Sequence, residues 1–205
     1  MRFDPRLRVF GMIVDALILA GGRSSRLHHS DKQKLQIGGT TLLQGSVDAV
    51  FASGARRVIV VGDEGTDDAP AVREEPAFAG PVAAIAAGLR ALPGDADAVL
   101  VIACDMPGVA SALPTLLGAF TGDGVIAVDR GRRQQLTIAV SPDALKAAIA
   151  RLPTIIDASM RALLGSLDLV EVVVPEGSTD DIDTWDDAAR FGAAPAATGV
   201  PHDHP

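Results

Sequence analysis

The chain of 205 residues is poor in several residue types on which whole classes of function depend. Its one cysteine, Cys104, excludes an internal disulfide framework and a cysteine-cluster zinc site, and suits a reducing cytoplasm. Aromatics make up 3%, with six Phe, one Trp and no Tyr, so stacking platforms for single-stranded nucleic acid are not expected. Lys and Arg number 18 against 26 Asp and Glu, a net charge of −8 that argues against a general nucleic-acid binder. No run reaches the ~20 apolar residues that span a bilayer. The apolar stretch Val9 to Ala20 is broken by Asp15 and runs directly into glycines, so it reads as a short leader followed by a buried strand, not as a targeting segment.

What is present is aliphatic. Hydrophobic residues are 48% of the chain, mostly Ala, Val and Leu, and Gly numbers 21. Short apolar runs end at glycine or turn residues: Ile13 to Leu19, Arg57 to Gly62, Ala98 to Cys104, Gly124 to Val128, Leu136 to Val140 and Leu169 to Val174. These read as strands. Between them the apolar period lengthens to that of helices over Thr40 to Ser53, Gly80 to Leu92, Ser111 to Phe120, Pro142 to Leu152, Asp157 to Leu164 and Trp185 to Phe191. Alternating strands and helices predict an α/β domain, a mostly parallel sheet wrapped by helices. Residues 1–11 read as a flexible leader, 12–192 as the domain and 193–205 as a flexible tail.

In open parallel sheets ligands bind beyond the carboxyl ends of the strands. Three such places carry unusual residues. The first is Leu19-Ala20-Gly21-Gly22, followed by Arg23, Arg26, Lys32 and Lys34: glycines let a backbone approach phosphate, and the basic residues add local positive charge to an acidic protein. The segment is neither a P-loop nor a G-x-G-x-x-G dinucleotide loop, which disfavours an NAD-dependent enzyme. The second is Asp105, directly after the central strand, where one or two carboxylates with phosphate oxygens suit Mg²⁺. The third is Glu176 to Asp187, in which six of twelve residues are acidic. There Asp181 and Asp183 share a face if the segment is extended, while Asp186 and Asp187 suit the first turn after a Thr184 cap. Cys104 reads as inert packing at the end of a buried strand. His28, His29, His202 and His204 read as incidental.

Taken together, these motifs resemble the MobA-like nucleotidyltransferase family, over residues 12 to 192. The family pattern L-A-G-G-x-x-x-R-M/L-G-x-x-D-K is met by Leu19 to Gly22, Arg26-Leu27 and Asp31-Lys32. Gly80-Pro81-Val82-Ala83-Ala84-Ile85-Ala86-Ala87-Gly88-Leu89 matches a second element, Asp105 in Cys-Asp-Met-Pro a third, and Asp181-Ile182-Asp183-Thr184-Trp185-Asp186-Asp187 a fourth. The chain departs at His28, where the family has Gly, and at Arg133-Gln134-Gln135-Leu136, where relatives carry an R-x-x-P-L-like element.

The resemblance implies a single Rossmann-like three-layer domain of the nucleotide-diphospho-sugar transferase type, monomeric or weakly associating. It implies Mg²⁺-dependent transfer of GMP from GTP to the phosphate of molybdopterin, with pyrophosphate released. Arg26, Lys32 and Asp105 would be catalytic. Leu19, Ala20, Gly21, Gly22, Lys32, Glu75 and Asp105 would contact the nucleotide, and Asp105 and Asp183 would hold the metal. A CTP-dependent molybdopterin cytidylyltransferase, a transferase for another small phosphate and a non-catalytic nucleotide-binding regulator are the alternatives.

Overall fold

The structure, a computed structural model, describes residues 11–21 and 32–195. The elements run β1 (Val14–Leu19), β2 (Gln36–Ile37), β3 (Thr40–Thr41), α1 (Leu42–Ala52), β4 (Arg57–Val61), β5 (Ala71–Val72), α2 (Pro81–Ala91) and β6 (Ala98–Ala103). After these come α3 (Leu113–Gly118), β7 (Gly124–Asp129), β8 (Arg132–Val140), α4 (Pro142–Ala150), α5 (Met160–Leu164), β9 (Leu169–Val173) and α6 (Trp185–Arg190). Seven strands form one sheet in the order β5-β4-β1-β6-β8-β7-β9. Only β8 runs antiparallel to its neighbours, so the expected mostly parallel sheet is what forms.

The two faces of β1 explain the layers. Val14, Ala16 and Ile18 point to one side, into a core shared with Leu43, Val47 and Val50 of α1 and Leu113, Leu116 and Leu117 of α3. Leu17 and Leu19 point to the other, against Val82, Ile85 and Leu89 of α2, Leu145 of α4 and Leu163 of α5. Both faces are buried, which is why the strand reads as a continuous apolar run. Asp15 interrupts that run without breaking it, because Arg56 Nε and Nη2 donate to its two carboxylate oxygens at 3.0 and 2.8 Å.

The structure adds the two-residue strands β2, β3 and β5, which the sequence reading did not expect, and differs from it elsewhere. The helix expected from Asp157 begins at Met160, because Asp157 sits at φ +55° and Ser159 provides the cap. The strand expected from Leu136 starts at Arg132: β7 and β8 are a hairpin turned at Arg130-Gly131, both with positive φ, as a tight hairpin turn requires. Ala194, placed by sequence in the tail, exchanges two backbone hydrogen bonds with Gln36, at 2.7 and 2.9 Å.

Candidate active site

Strand order places the site. β4 and β6 flank β1 on opposite sides, so the crossovers leave β1 in opposite directions and open a crevice at its carboxyl end. Leu19 pairs with Ala103, so Gly21 and Asp105, each two residues further on, emerge side by side. Cys104 N–H donates to the Leu19 carbonyl at 3.1 Å, and the Ser46 hydroxyl of α1 donates to the Cys104 carbonyl at 3.2 Å. These bonds fix the direction in which Asp105 leaves the sheet. Ile102 pairs with Thr137 across the antiparallel β8, which carries Leu136, Gln135 and Gln134 past the same edge.

Two adjoining cavities occupy the crevice. The first, of about 520 Å³, is lined by Leu19, Gly21, Val61, Glu74, Ala77, Phe78, Gly80, Pro81, Ala84, Leu136 and Asp157. The second, of about 480 Å³, shares Pro81 and Leu136 with it and adds Asp105, Met106, Gln134, Gln135, Thr137, Ser159, Met160, Thr179 and Asp181. Gly80 has φ +90°, and a β carbon there would lie 3.5 Å from Asp157 Cα. Asp157 N–H donates to the Ala79 carbonyl at 2.8 Å, which draws the α4–α5 connection onto the entrance of α2.

The charged centre is Lys32 with Asp105 and Asp183. Lys32 Nζ donates to Asp105 Oδ2 at 3.5 Å and closely to Asp183 Oδ1. The three side chains are 17%, 22% and 44% exposed, so the cluster is sheltered but open to the crevice. Burial pulls the Lys32 ammonium down, but the hydrogen bond to Asp183 and the charges of Asp105 and Asp183 outweigh it and hold its pKa above the ordinary lysine value. Asp105 goes the other way. Burial pushes its carboxyl up, Lys32 opposes this, and Asp181 and Asp183 add to it. Asp105 and Asp183 thus meet the Lys32 ammonium, and the charge of Asp181 is felt at Asp105.

The expected site residues sort as follows. Leu19, Gly21, Lys32, Asp105 and Asp183 come together in the crevice. Ala20 forms the turn between them, its N–H donating to the Val61 carbonyl at 2.9 Å. Gly22, Arg26, His28 and Asp31 lie outside the described residues. Glu75 is exposed and absent from the cavity lining, while its neighbour Glu74 lines the first cavity and accepts from Phe78 N–H at 2.9 Å. Asp181 and Asp183 do not converge on one cation: Asp183 meets Lys32 and Asp181 lines the second cavity. The Cys104 thiol is buried and pushed up to about 12, by burial and then by Asp105, so it stays protonated and unreactive. Thr184 and Asp187 form a capping box on α6, as the sequence implied.

Glu74, Phe78 and Asp157 line the first cavity and were not singled out in the sequence. The Glu74-Glu75 pair ahead of Gly80-Pro81 carried a signal. Asp157 carried none, since only tertiary packing brings it to Gly80.

Among the described residues, no group of three or more His, Cys, Asp or Glu is arranged to hold a metal ion, and no helix is long and apolar enough to cross a membrane. Two carboxylates suffice for Mg²⁺ when phosphate oxygens and water complete its shell. Asp105 and Asp183 already converge on a cation in the form of the Lys32 ammonium, so the residues present fit the ion.

The model of the MobA-like NTP transferase domain matches residues 16–172. No curated protein matches in sequence. Among solved structures, a nucleotidyl transferase from Methanothermobacter is 22% identical, with 87% of this chain and 95% of that one covered at a TM-score of 0.72. The molybdopterin-guanine dinucleotide biosynthesis protein A from Archaeoglobus fulgidus is 18% identical, covering 86% and 96% at 0.64. The 2-C-methyl-D-erythritol 4-phosphate cytidylyltransferase from Thermus thermophilus is 19% identical, covering 88% and 97% at 0.61. At these identities the structural likenesses establish the nucleotide-diphospho-sugar transferase fold, and the family match goes further: the chain belongs to the MobA-like NTP transferase family.

Proposed function

We propose that the chain is a Mg²⁺-dependent nucleotidyltransferase that moves GMP from GTP to the terminal phosphate of molybdopterin. The observation that carries the transfer reading is the meeting of Lys32, Asp105 and Asp183 beside the Gly21 turn, with one cavity for each reactant. An oxygen of the acceptor phosphate forms a bond to the α-phosphorus. The bond from that phosphorus to the oxygen bridging toward the β-phosphate breaks, and pyrophosphate leaves with its electrons. No covalent enzyme intermediate is needed, so the protein's contribution is alignment and charge.

Each residue then has a task. The backbone of Leu19 to Gly22 lies along the nucleotide. Lys32 donates to phosphate oxygens, and Arg26 offsets charge on the departing pyrophosphate. Asp105 and Asp183 would hold Mg²⁺, which supplies charge neutralisation between two anionic reactants when bound. The acidic nucleotide contact assigned by sequence to Glu75 passes to Glu74. Gln134, Gln135 and Ser159 line the acceptor side with neutral hydrogen-bonding groups.

GTP is favoured by the chemistry of the first cavity. Glu74 and Asp157 are the acidic residues of its lining, and carboxylates only accept hydrogen bonds. The Watson–Crick edge of guanine offers adjacent N–H donors from its ring nitrogen and amino group. Cytosine offers its amino group alone, and uracil's two carbonyls would face like partners. CTP is the second reading, supported by the cytidylyltransferase among the structural neighbours. Pyrophosphate release from GTP and from CTP, each with Mg²⁺ and molybdopterin, separates the two. Faster release from GTP is the expected result, faster release from CTP would replace it with the second reading, and release from neither would contradict both.

A further inference from the structure

The segment that ends in Asp183 is held by a carboxylate that lines neither cavity. Asp129 closes β7 and is 3% exposed. Its Oδ1 accepts from Gly177 N–H at 3.2 Å, and its Oδ2 accepts from Thr179 N–H at 3.3 Å and from the Thr179 hydroxyl at 2.8 Å. On the opposite flank the segment is pressed against the loop that carries Asp105. A β carbon at Gly108 would lie 3.1 Å from the Gly177 carbonyl oxygen, and Ile182 N–H donates to the Asp105 carbonyl at 3.0 Å. Asp129 therefore anchors the segment upstream, and Ile182, fully buried, anchors it downstream. Asp181 and Asp183 stand on either side of the second anchor. Outside this clamp, Arg130 bonds Glu176 and Asp180, but its side chain is half exposed.

We infer that Asp129 is a positioning residue: it sets where Asp181 and Asp183 stand relative to Asp105, and so governs the rate of transfer without touching either substrate. The inference rests on the proposed roles of Asp105 and Asp183 in nucleotidyl transfer. Removing the carboxylate leaves the Gly177 N–H and both Thr179 donors without their acceptor, and the segment loses its buried upstream anchor. No residue of the Glu176–Asp183 segment lines the first cavity, whose walls come from β1, β4, α2 and their loops together with Leu136 of β8 and Asp157, so nucleotide binding does not depend on that anchor. Loss of Asp129 should therefore act on kcat and on divalent-ion affinity, and leave KM for the nucleotide alone.

The test compares the full-length wild type with Asp129→Ala, Asp129→Asn and Arg130→Ala, using GTP, Mg²⁺ and molybdopterin. Pyrophosphate release gives kcat and KM for GTP. Mn²⁺ titration of the protein with a non-hydrolysable GTP analogue, followed by electron paramagnetic resonance, gives ion affinity without turnover. Asp129→Ala should lower kcat by about 30- to 100-fold, the scale of a misplacement of roughly 1 Å, and weaken Mn²⁺ binding, with KM within about twofold. Asp129→Asn keeps one acceptor oxygen and should recover part of both losses. It also carries the test if the alanine variant does not fold. Arg130→Ala removes only exposed pairs and should stay within about twofold of wild type. A folded Asp129→Ala with wild-type kcat and Mn²⁺ affinity would overturn the inference, as would an asparagine variant no better than alanine. A wild type that releases no pyrophosphate would contradict the transfer reading itself and this inference with it, and would be seen before any variant is compared.

Discussion

Two charge clusters sit at opposite ends of β1 and use the same chemistry for different ends. At the amino end, Arg56 bonds Asp15 through two nitrogens and Asp95 through Nη1 at 2.8 Å. The Arg56 and Asp15 side chains are 2% and 0% exposed. At the carboxyl end, Lys32 serves Asp105 and Asp183 with a single ammonium, Asp181 adds a third carboxylate nearby, and Asp105 and Asp181 open onto the second cavity. The first cluster pairs a planar, five-donor guanidinium with carboxylates in matching geometry, which closes it. The second uses a point charge on a sheltered but accessible site. The closed cluster holds strands together; the proposed role of the open one is to hold ligands.

The largest expected break in this comparison is Arg56→Ala. It leaves Asp15 buried without a partner and should cost about 3–5 kcal/mol of stability, read by denaturant unfolding, with the rate per folded molecule unchanged. An activity loss in protein that unfolds like wild type would contradict the structural role assigned to the amino-end cluster.

Asp105→Asn sharpens the contrast with a smaller effect of opposite sign. Burial raises the pKa of Asp105, so the folded state binds its proton more tightly than the unfolded chain does. Stability is then lost as pH rises from the ordinary carboxylate range through the raised value. Removing the charge should leave Tm near neutral pH equal to or above that of wild type, and a clear fall in Tm would show that Asp105 is structural.

The smallest effect is expected from Asp95. Hydrogen bonds from Arg56 hold its carboxyl below the usual range, so its contribution is present above the unfolded value of about 4 and lost as pH falls below it. Asp95→Asn should flatten the acid side of a Tm–pH profile, and an unchanged profile would count against the pairing.

The centre of the sheet was legible because β1, β4, β6 and β7 are buried on both faces and carry almost nothing but apolar residues. The exception, Asp15, could not be explained from local sequence, since its partner Arg56 is 41 residues away. The outer half of β8 was illegible for the opposite reason: Arg132 to Gln135 are polar and only partly covered, so no apolar alternation marks them as a strand. The meeting of Lys32, Asp105 and Asp183 could be anticipated because each lies in a motif beside a strand end or a capped helix. Glu75 was chosen over Glu74 by position in a motif, and in extended chain a shift of one residue turns the side chain to the other side. Asp157, Gln134 and Ser159 reach the crevice through packing between distant segments, which one sequence does not display.

The central claim is that the carboxyl-end cluster performs phosphoryl-group chemistry. Its most direct test is the rate of pyrophosphate release with GTP, Mg²⁺ and molybdopterin, in wild type and in Asp105→Asn of equal thermal stability. The account predicts release by wild type and a loss of at least about a hundredfold in the variant, the scale of removing an electrostatic contact made in the transition state. Equal rates in the two proteins would contradict it.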